Sequence, residues 1–501
     1  MTEILSSAQM RAVEMAAIES GATSGLELME RAGAGVVGAI RDLWPEAARR
    51  VVVFCGPGNN GGDGYVIARQ FARRGWQVAL WAPLDPATPD AQANAQAWGA
   101  FGPIARTLDS VSLDGVIVID ALFGSGLTRP LAERFWRPLA LAQAHGARIV
   151  AVDILSGLCA DSGQVRAEAG YLPRGADLTV SFQTPKPGHM LLPGGTMTGV
   201  LRVADIGLGA QVAALGEGAS VARDVGGGDL TRLAKRSGHK FTHGHVLVLA
   251  GGVGKGGAAR LAARAALRIG AGLVTLGCPP GALIENAARL DAVMLQPIPE
   301  PKAVPRLLSD PRITACCLGP GLGVNARAAA LVAAVLSARR PTVLDADALT
   351  LIARDAQLRA LVHGACVLTP HGGEFARLWP ELSGALSGKK MAKTDATLKA
   401  ARSIGATVLF KGVDTVIATP DGAVAIHASL RDRHAPWLAT AGAGDVLAGV
   451  ICGLLARGFG PEDAACMGAR LHVDCALAHG PGLIAEDLPE MLPRVLRQSG
   501  V

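Results

Sequence analysis

Asp120 and Asp153 each close a short apolar run, VIVID (116–120) and RIVAVD (148–153). Each is followed at once by a glycine-containing turn, ALFGSGLTRP (121–130) and ILSGL (154–158). Carboxylates at the carboxyl ends of strands project into the crevice where open α/β sheets bind ligands. Two of them can divide cation binding from general acid/base chemistry. Either alone reads better as a helix N-cap, but the pair with a third feature sides with a site. GPGNNGGDG (56–64) follows a strand-like run and sets Gly56, Gly58 and Gly61 in a G-x-G-x-x-G turn, which lets backbone approach a pyrophosphate. Asn59, Asn60 and Asp63 add amide and carboxylate oxygens that a dinucleotide loop does not need. Such donors suit a hard cation or a sugar and phosphate edge. Lys186, between two prolines in TPKPG, reads either as an ammonium set near phosphate or as part of a stiffened surface loop.

The second half has its own set. In TAGAGDVLAG (440–449) a glycine cluster opens a helix, and Asp445 falls in its first turn. Free N–H groups and the helix dipole make an anion hole there. A carboxylate beside it can act as base on a hydroxyl attacking a phosphoryl group. Asp345 and Asp347 follow the strand TVLD and read as holders of magnesium phosphates or as helix caps. His371 and Glu374 follow another strand in TPHGGEF, where a lone histidine is more often structural. LAGGVGKGG (249–257) imitates a phosphate-binding loop but fails the G-x-x-x-x-G-K-[ST] test, with Leu249 and Gly256 at the deciding positions. GPGLG (319–323) is a further glycine loop at a strand end.

These residues need elements to hold them. Short β-branched runs alternate with alanine-rich helical stretches in both halves, which predicts parallel sheets covered on both faces. The small, glycine-rich stretch 213–227 reads as a linker between an α/β domain at 1–212 and a second at 228–501. Residues 1–42 carry apolar positions at three- and four-residue spacing and are expected to form helices packed on the first domain.

With 50% hydrophobic and 18% charged residues, the 501-residue chain is not globally disordered. Its 64 glycines exceed the common usage of about 7% and cluster in the loops named above. The net charge of +6, without a basic run and with 4% aromatics, argues against a nucleic-acid partner. No apolar run reaches membrane-spanning length and MTEILSSAQM is not a signal peptide, so a cytoplasmic location is expected. Nine cysteines without a C-x-x-C pair read as buried thiols.

In combination, PGNNGGDG, the Asp120-Ala-Leu-Phe-Gly-Ser-Gly-Leu stretch, VDILSG and TPKPG resemble the NAD(P)HX epimerase family over roughly 1–210. The resemblance implies a Rossmann-like three-layer αβα domain. Asn59, Asn60, Gly61, Gly62 and Asp63, with Gly124, Ser125, Gly126, Leu127, Thr128, Arg129 and Pro130, would hold the substrate's phosphates and ribose. Asn60, Asp120 and Ser156 would bind K+, and Asp153 would contact the hydrated nicotinamide as acid/base. Leu155 stands where the family usually has proline.

GAGDVLAG, TPHGGE, GPGLG, LDADAL and the SGHK/GHVLVLAGG start resemble the ribokinase-like ADP/ATP-dependent NAD(P)H-hydrate dehydratases over roughly 228–495. By that resemblance Ala258, Gly321, Leu322, His371 and Asp445 would contact the hydrated cofactor. Lys411, Gly412, Val413, Asp414, Thr415 and Gly444 would hold ADP or ATP with Mg2+. Ala443 replaces the family's usual threonine. The expected activity is repair of NADHX and NADPHX, as isomerase and lyase in one chain and as a homo-oligomer. The alternatives are a thiazole or pyrimidine kinase carrying a non-catalytic N-terminal domain, and a binding scaffold.

Overall fold

The computed structural model describes residues 2–46, 49–108, 111–168, 174–215, 222–226 and 229–501. It forms two compact units, Thr2–Ala222 and Arg223–Val501. No helix among the described residues is long and apolar enough to cross a membrane. All nine cysteines are free and buried.

In the first unit a short strand β1 (Thr2–Ile4) precedes helices α1 (Ser7–Glu19) and α2 (Gly25–Leu43). Both begin with a serine capping box, Ser6 with Gln9 and Ser24 with Glu27. Then come β2 (Arg50–Cys55), α3 (Asn59–Arg73), β3 (Gln77–Trp81), α4 (Pro89–Trp98), β4 (Ile117–Ala121), α5 (Glu133–Ala144), β5 (Arg148–Val152), β6 (Leu178–Phe182) and β7 (Val200–Ala204). Strands β2 to β7 make one parallel sheet in the order β3-β2-β4-β5-β6-β7. Side chains alternate across it, as a strand's period of two demands. Val51, Val53 and Cys55 of β2 pack with Val13 of α1, Val36 of α2 and Phe71 of α3. Val52 and Phe54 enter the opposite layer with Phe135 and Leu139 of α5. The chain leaves β2 in both directions, so the crevice of the sheet opens beyond β2 and β4.

The second unit contains β8 (Ala222–Asp224), β9 (His245–Leu249), β10 (Leu273–Cys278), β11 (Met294–Pro297), β12 (Ile313–Leu318), β13 (Thr342–Leu344), β14 (Cys366–Leu368), β15 (Thr407–Phe410), β16 (Asp414–Ala418) and β17 (Val424–Ala428). They run in the order β8-β17-β16-β15-β14-β13-β12-β9-β10-β11. The order again reverses at one place, between β9 and β12. The sheet departs from the parallel expectation at one end, where β15, β16 and β17 pair antiparallel. The connection at 419–423 is too short for a parallel crossover, which needs a dozen residues or more. Val246, Val248 and Ala250 pack under helices Gly257–Arg268 and Ala443–Ala456. The two helices touch backbone to backbone, because a β-carbon on Gly449 would sit 2.1 Å from the Ala262 carbonyl oxygen.

Of the stretch 213–227, residues 216–221 and 227 lie outside the described residues. Within the rest, Ala222–Asp224 is a strand, and Arg223 and Asp224 pair with Ala425 and Ile426 of β17.

Candidate active sites

The first site forms at the reversal point of the first sheet. Helix α3 starts at Asn59 behind Gly58, which offers no side-chain cap, so the first-turn N–H groups stay open to a ligand. At the end of β4, Asp120 is fully buried. It accepts from Ser156 N at 2.8 Å, Ser156 Oγ at 2.6 Å and Leu122 N at 3.3 Å. Burial pushes its carboxyl up to about 6 against those hydrogen bonds. Phe123 N donates to Ser156 Oγ at 2.9 Å, which joins the loop after β4 to the loop after β5. Asn60 reaches the same place. A β-carbon on Gly124 would lie 2.7 Å from Asn60 Oδ1 and 3.4 Å from Asp153 Oδ2. The Nδ2 of Asn60 is buried with no partner among the described residues.

Asp153 sits at φ 64°, in the left-handed region that a non-glycine residue rarely adopts. Several bonds hold it there. Its N donates to Val180 O at 2.8 Å, and its carbonyl lies 2.9 Å from His189 Nε2. Ser125 N donates to Oδ2 at 3.2 Å. Lys186 Nζ lies 2.8 Å from Oδ1. Burial alone would raise the Asp153 carboxyl, but Lys186, His189 and the Ser125 amide outweigh it and hold it below the usual carboxylate range. Both sequence readings of Lys186 are therefore replaced. It is 1% exposed and donates to Ser181 Oγ, Phe182 O and Thr184 O at 3.0 to 3.2 Å, so it is neither a surface residue nor free for phosphate. A lone lysine between prolines carries no local sign that its partner is 33 positions upstream. Asp63 has its carboxyl raised well above the usual range by burial and by Asp153 and Glu14. Leu155 fills the apolar layer with Ile154 and Leu158.

The second site lies at the start of helix Ala443–Ala456. Gly442 turns into it at φ 89°, and no side chain caps its first N–H groups. Asp445 points from the first turn. Burial and the Asp345 charge push its carboxyl up to about 6, with Lys411 opposing and Asp347 and Glu374 adding. Lys411 is committed elsewhere: its Nζ donates to Asp345 Oδ1 at 2.7 Å and lies 3.8 Å from Glu374 Oε2. Gly444 joins this group, since a β-carbon there would meet Lys411 Nζ at 3.3 Å and Asp345 Oδ2 at 3.8 Å. Asp345 precedes helix Ala346–Arg354 without capping it by its side chain. Asp347 accepts from Gly323 N at 2.8 Å, tying GPGLG to this cluster.

His371 does cap a helix, Gly372–Leu378, where Gly373 N donates to its Nδ1 at 3.0 Å. Its Nε2 lies 3.5 Å from Glu374 Oε1 with the side chain 57% exposed, so one ring face stays available. Ala258 and Gly321 meet across the reversal point, 3.5 Å apart when a β-carbon is placed on Gly321, and Leu322 is buried. In the loop 411–415 the side chains of Asp414 and Thr415 are engaged. Lys393 Nζ donates to Asp414 Oδ1 at 2.7 Å, and Thr415 Oγ1 donates to Gly412 O at 2.8 Å. The sequence reading missed His472. Its Nε2 lies 2.8 Å from Ala443 O, and burial brings the ring down to about 4, so it braces the helix start as a neutral donor.

Comparison with known proteins adds the following. The family model described as NAD(P)H-hydrate dehydratase matches residues 246–494, and that described as YjeF-related protein N-terminus matches 25–188. The Bifunctional NAD(P)H-hydrate repair enzyme Nnr of Moorella thermoacetica is 35% identical over 99% of this chain and 96% of its own. The NAD(P)H-hydrate epimerase of Rhodobacter capsulatus is 47% identical over 38% of this chain and 93% of its own. A solved structure of the ADP/ATP-dependent NAD(P)H-hydrate dehydratase from Bacillus subtilis, co-crystallised with ATP/Mg2+, is 29% identical over 53% of this chain and 93% of its own, with a TM-score of 0.45.

Proposed function

The chain belongs to the bifunctional NAD(P)H-hydrate repair enzymes, and from that premise we propose which residues carry each half of the work. It is an NAD(P)H-hydrate epimerase and an NAD(P)H-hydrate dehydratase in one chain. A small-molecule kinase with an idle N-terminal domain is not favoured, because the full-length relative spans both units. The observation that carries the division is the contrast between two carboxylates: Asp153 held low by a buried lysine, and Asp445 raised to about 6 beside an open helix start.

In the first unit, assigned as domain 1–212, the loops Asn59–Asp63 and Gly124–Pro130 hold the phosphates and ribose of the R or S hydrate. Inversion at C6 needs a group that takes up and returns a proton, whether the ring opens or water leaves and re-adds. Asp153 is that group, and its ionised resting state makes it a base first. The donor set fits K+: a fully buried Asp120 carboxylate, with no side-chain cation paired to it among the described residues, shares its place with Ser156 Oγ. Asn60, Asp120 and Ser156 would hold the ion, which supplies fixed positive charge to the substrate's oxygens.

In the second unit, assigned as domain 228–501 after a linker at 213–227, Asp445 takes the proton from the C6 hydroxyl of the S hydrate. That oxygen attacks the terminal phosphorus of ADP or ATP, the bridging P–O bond breaks to release AMP or ADP, and the open N–H groups around Gly444 stabilise the transferring phosphoryl group. The C6–O bond then breaks. Phosphate leaves, a proton is lost from C5, and the 5,6 double bond of NAD(P)H returns. Phosphate is a far better leaving group than hydroxide, so the nucleotide makes the dehydration feasible. Ala258, Gly321, Leu322 and His371 line the substrate side, and Lys411–Thr415 with Gly444 the nucleotide side. Mg2+ commonly takes one or two carboxylates and completes its shell with phosphates. Asp345 and Asp347 fit that need and would hold it on the nucleotide.

The exposed apolar side chains Val253 and Ile284, 69% and 84% accessible, support a homo-oligomer. We place the enzyme in the cytoplasm. The deciding experiment supplies mixed NADHX epimers with ADP or ATP and follows 340 nm absorbance. Full recovery with one nucleotide is expected. Accumulation of a stable phosphorylated product would refute the reading.

A further inference from the structure

The family model that matches the first unit begins at residue 25, so α1 lies upstream of the matched segment. Its buried positions Met10, Val13 and Ala17 pack into the core beneath the first site. Two contacts tie its start to the segments that frame Asp153. Leu5 N donates to Pro185 O at 3.4 Å, beside Lys186. Ser7 N and Oγ donate to Asp161 Oδ1 at 2.7 and 3.0 Å, in the loop that follows Asp153.

Arg11 and Glu14, three residues apart on one helix face, are thereby brought to the site. Arg11 Nη2 lies 3.8 Å from the point a β-carbon on Gly126 would occupy, in the loop 124–130. Glu14 is within electrostatic reach of Asp153, Lys186 and Asp63. The charge balance there is unfavourable for an anionic ligand. Burial raises the carboxyls of Asp63, Asp120 and Glu14, Asp153 stays ionised, and the buried Lys186 is already taken by it. Arg11 is exposed, and no hydrogen bond or ion pair among the described residues occupies its guanidinium. A guanidinium offers a planar fork that matches a phosphate's oxygens.

We propose that Arg11 binds a substrate phosphate in the epimerase site, so that α1 is a wall of that site. This rests on the reading that loop 124–130 holds the substrate's phosphates. The test uses the full-length chain carrying Arg11→Ala or Arg11→Lys, with epimerisation of NADHX and NADPHX and dehydration measured on the same preparation. Arg11→Ala should raise the epimerisation KM about tenfold with kcat within about twofold, the loss expected of one charge-assisted hydrogen bond. Arg11→Lys should recover part of it, and dehydration and melting temperature should not move. An equal rise on both substrates assigns the guanidinium to the pyrophosphate. A rise confined to NADPHX assigns it to the additional ribose phosphate. An unchanged KM on both substrates overturns the proposal, as does a fall in melting temperature that takes both activities with it. Gly124→Val, which crowds Asn60, separates the premises. If it spares epimerisation, the loop reading itself fails. If it abolishes epimerisation while Arg11→Ala leaves KM unchanged, only the role of Arg11 fails.

Discussion

Asp153 is buried and Asp445 half-buried, each lies beside a glycine-rich turn and each is ionised at neutral pH, yet their proton affinities differ. Asp153 has a lysine 2.8 Å away, is held below the usual carboxylate range, and stays ionised. Asp445 also has a lysine in its neighbourhood, but Lys411 pairs with Asp345 at 2.7 Å. The field at Asp445 is then dominated by burial and by Asp345, and its carboxyl rises to about 6. Where the ammonium is spent decides the difference. A carboxylate held low is ionised and ready as a base throughout the neutral range, and returns its proton readily. A group with a midpoint near 6 accepts a proton more strongly and suits a step that must generate an alkoxide beside phosphate.

The largest test of the contrast is to remove each carboxylate in turn. Asp445→Asn should lower dehydration about a thousandfold and leave epimerisation unchanged, while Asp153→Asn should do the reverse. Epimer exchange followed by NMR and recovery of 340 nm absorbance measure the two separately. Loss of both activities in either variant would break the division of labour. Next in size is Lys186→Met. Without the ammonium, only His189 and the Ser125 amide oppose burial and the Asp153 carboxyl rises, so epimerisation at pH 7 should fall about a hundredfold and recover as pH is raised. A pH profile distinguishes this from unfolding, since a buried pair that loses one partner also costs about 3–5 kcal/mol in stability.

A smaller effect comes from acid alone. Asp445 accepts a proton only when ionised, so kcat/KM for dehydration should fall about tenfold per pH unit below about 6. With K+ saturating, so that Asp120 stays ionised against its own rise to about 6, epimerisation should stay flat over the same range, because the Asp153 carboxyl lies below it. A parallel decline of both would show that the two carboxylates do not differ as described. The smallest shift is expected from Lys411→Met. Lys411 lowers the Asp445 carboxyl, so its removal should carry the acid limb of dehydration upward by on the order of one pH unit. A limb that stays in place would mean Lys411 acts only on the nucleotide.

Much of each site is legible along the chain because loops are local. GPGNNGGDG, DALFGSGLTRP and TAGAGDVLAG each place glycines and an acid within about ten residues, and the structure puts each at a strand end or helix start. The antiparallel hairpin of β16 and β17 was not legible as such, because VAIHA looks like any other buried strand and only the short connection sets its direction. The cap formed by His371 was hidden for a related reason. A histidine is an uncommon N-cap, and its bond to Gly373 N depends on the ring orientation that Glu374 fixes.

The sequence by itself determined the α/β alternation, the glycine loops and the identities of the acids that face them. Only the tertiary structure decided their charge states. Lys186 reaches Asp153 from 33 residues downstream, Ser156 reaches Asp120 across 36, and Lys411 reaches Asp345 across 66. A carboxylate's proton affinity is set by the water removed from around it and by charges within a few ångströms, whatever their distance along the chain. No local pattern carries that information, so two aspartates in similar surroundings by sequence became a fixed charge in one unit and a titratable base in the other.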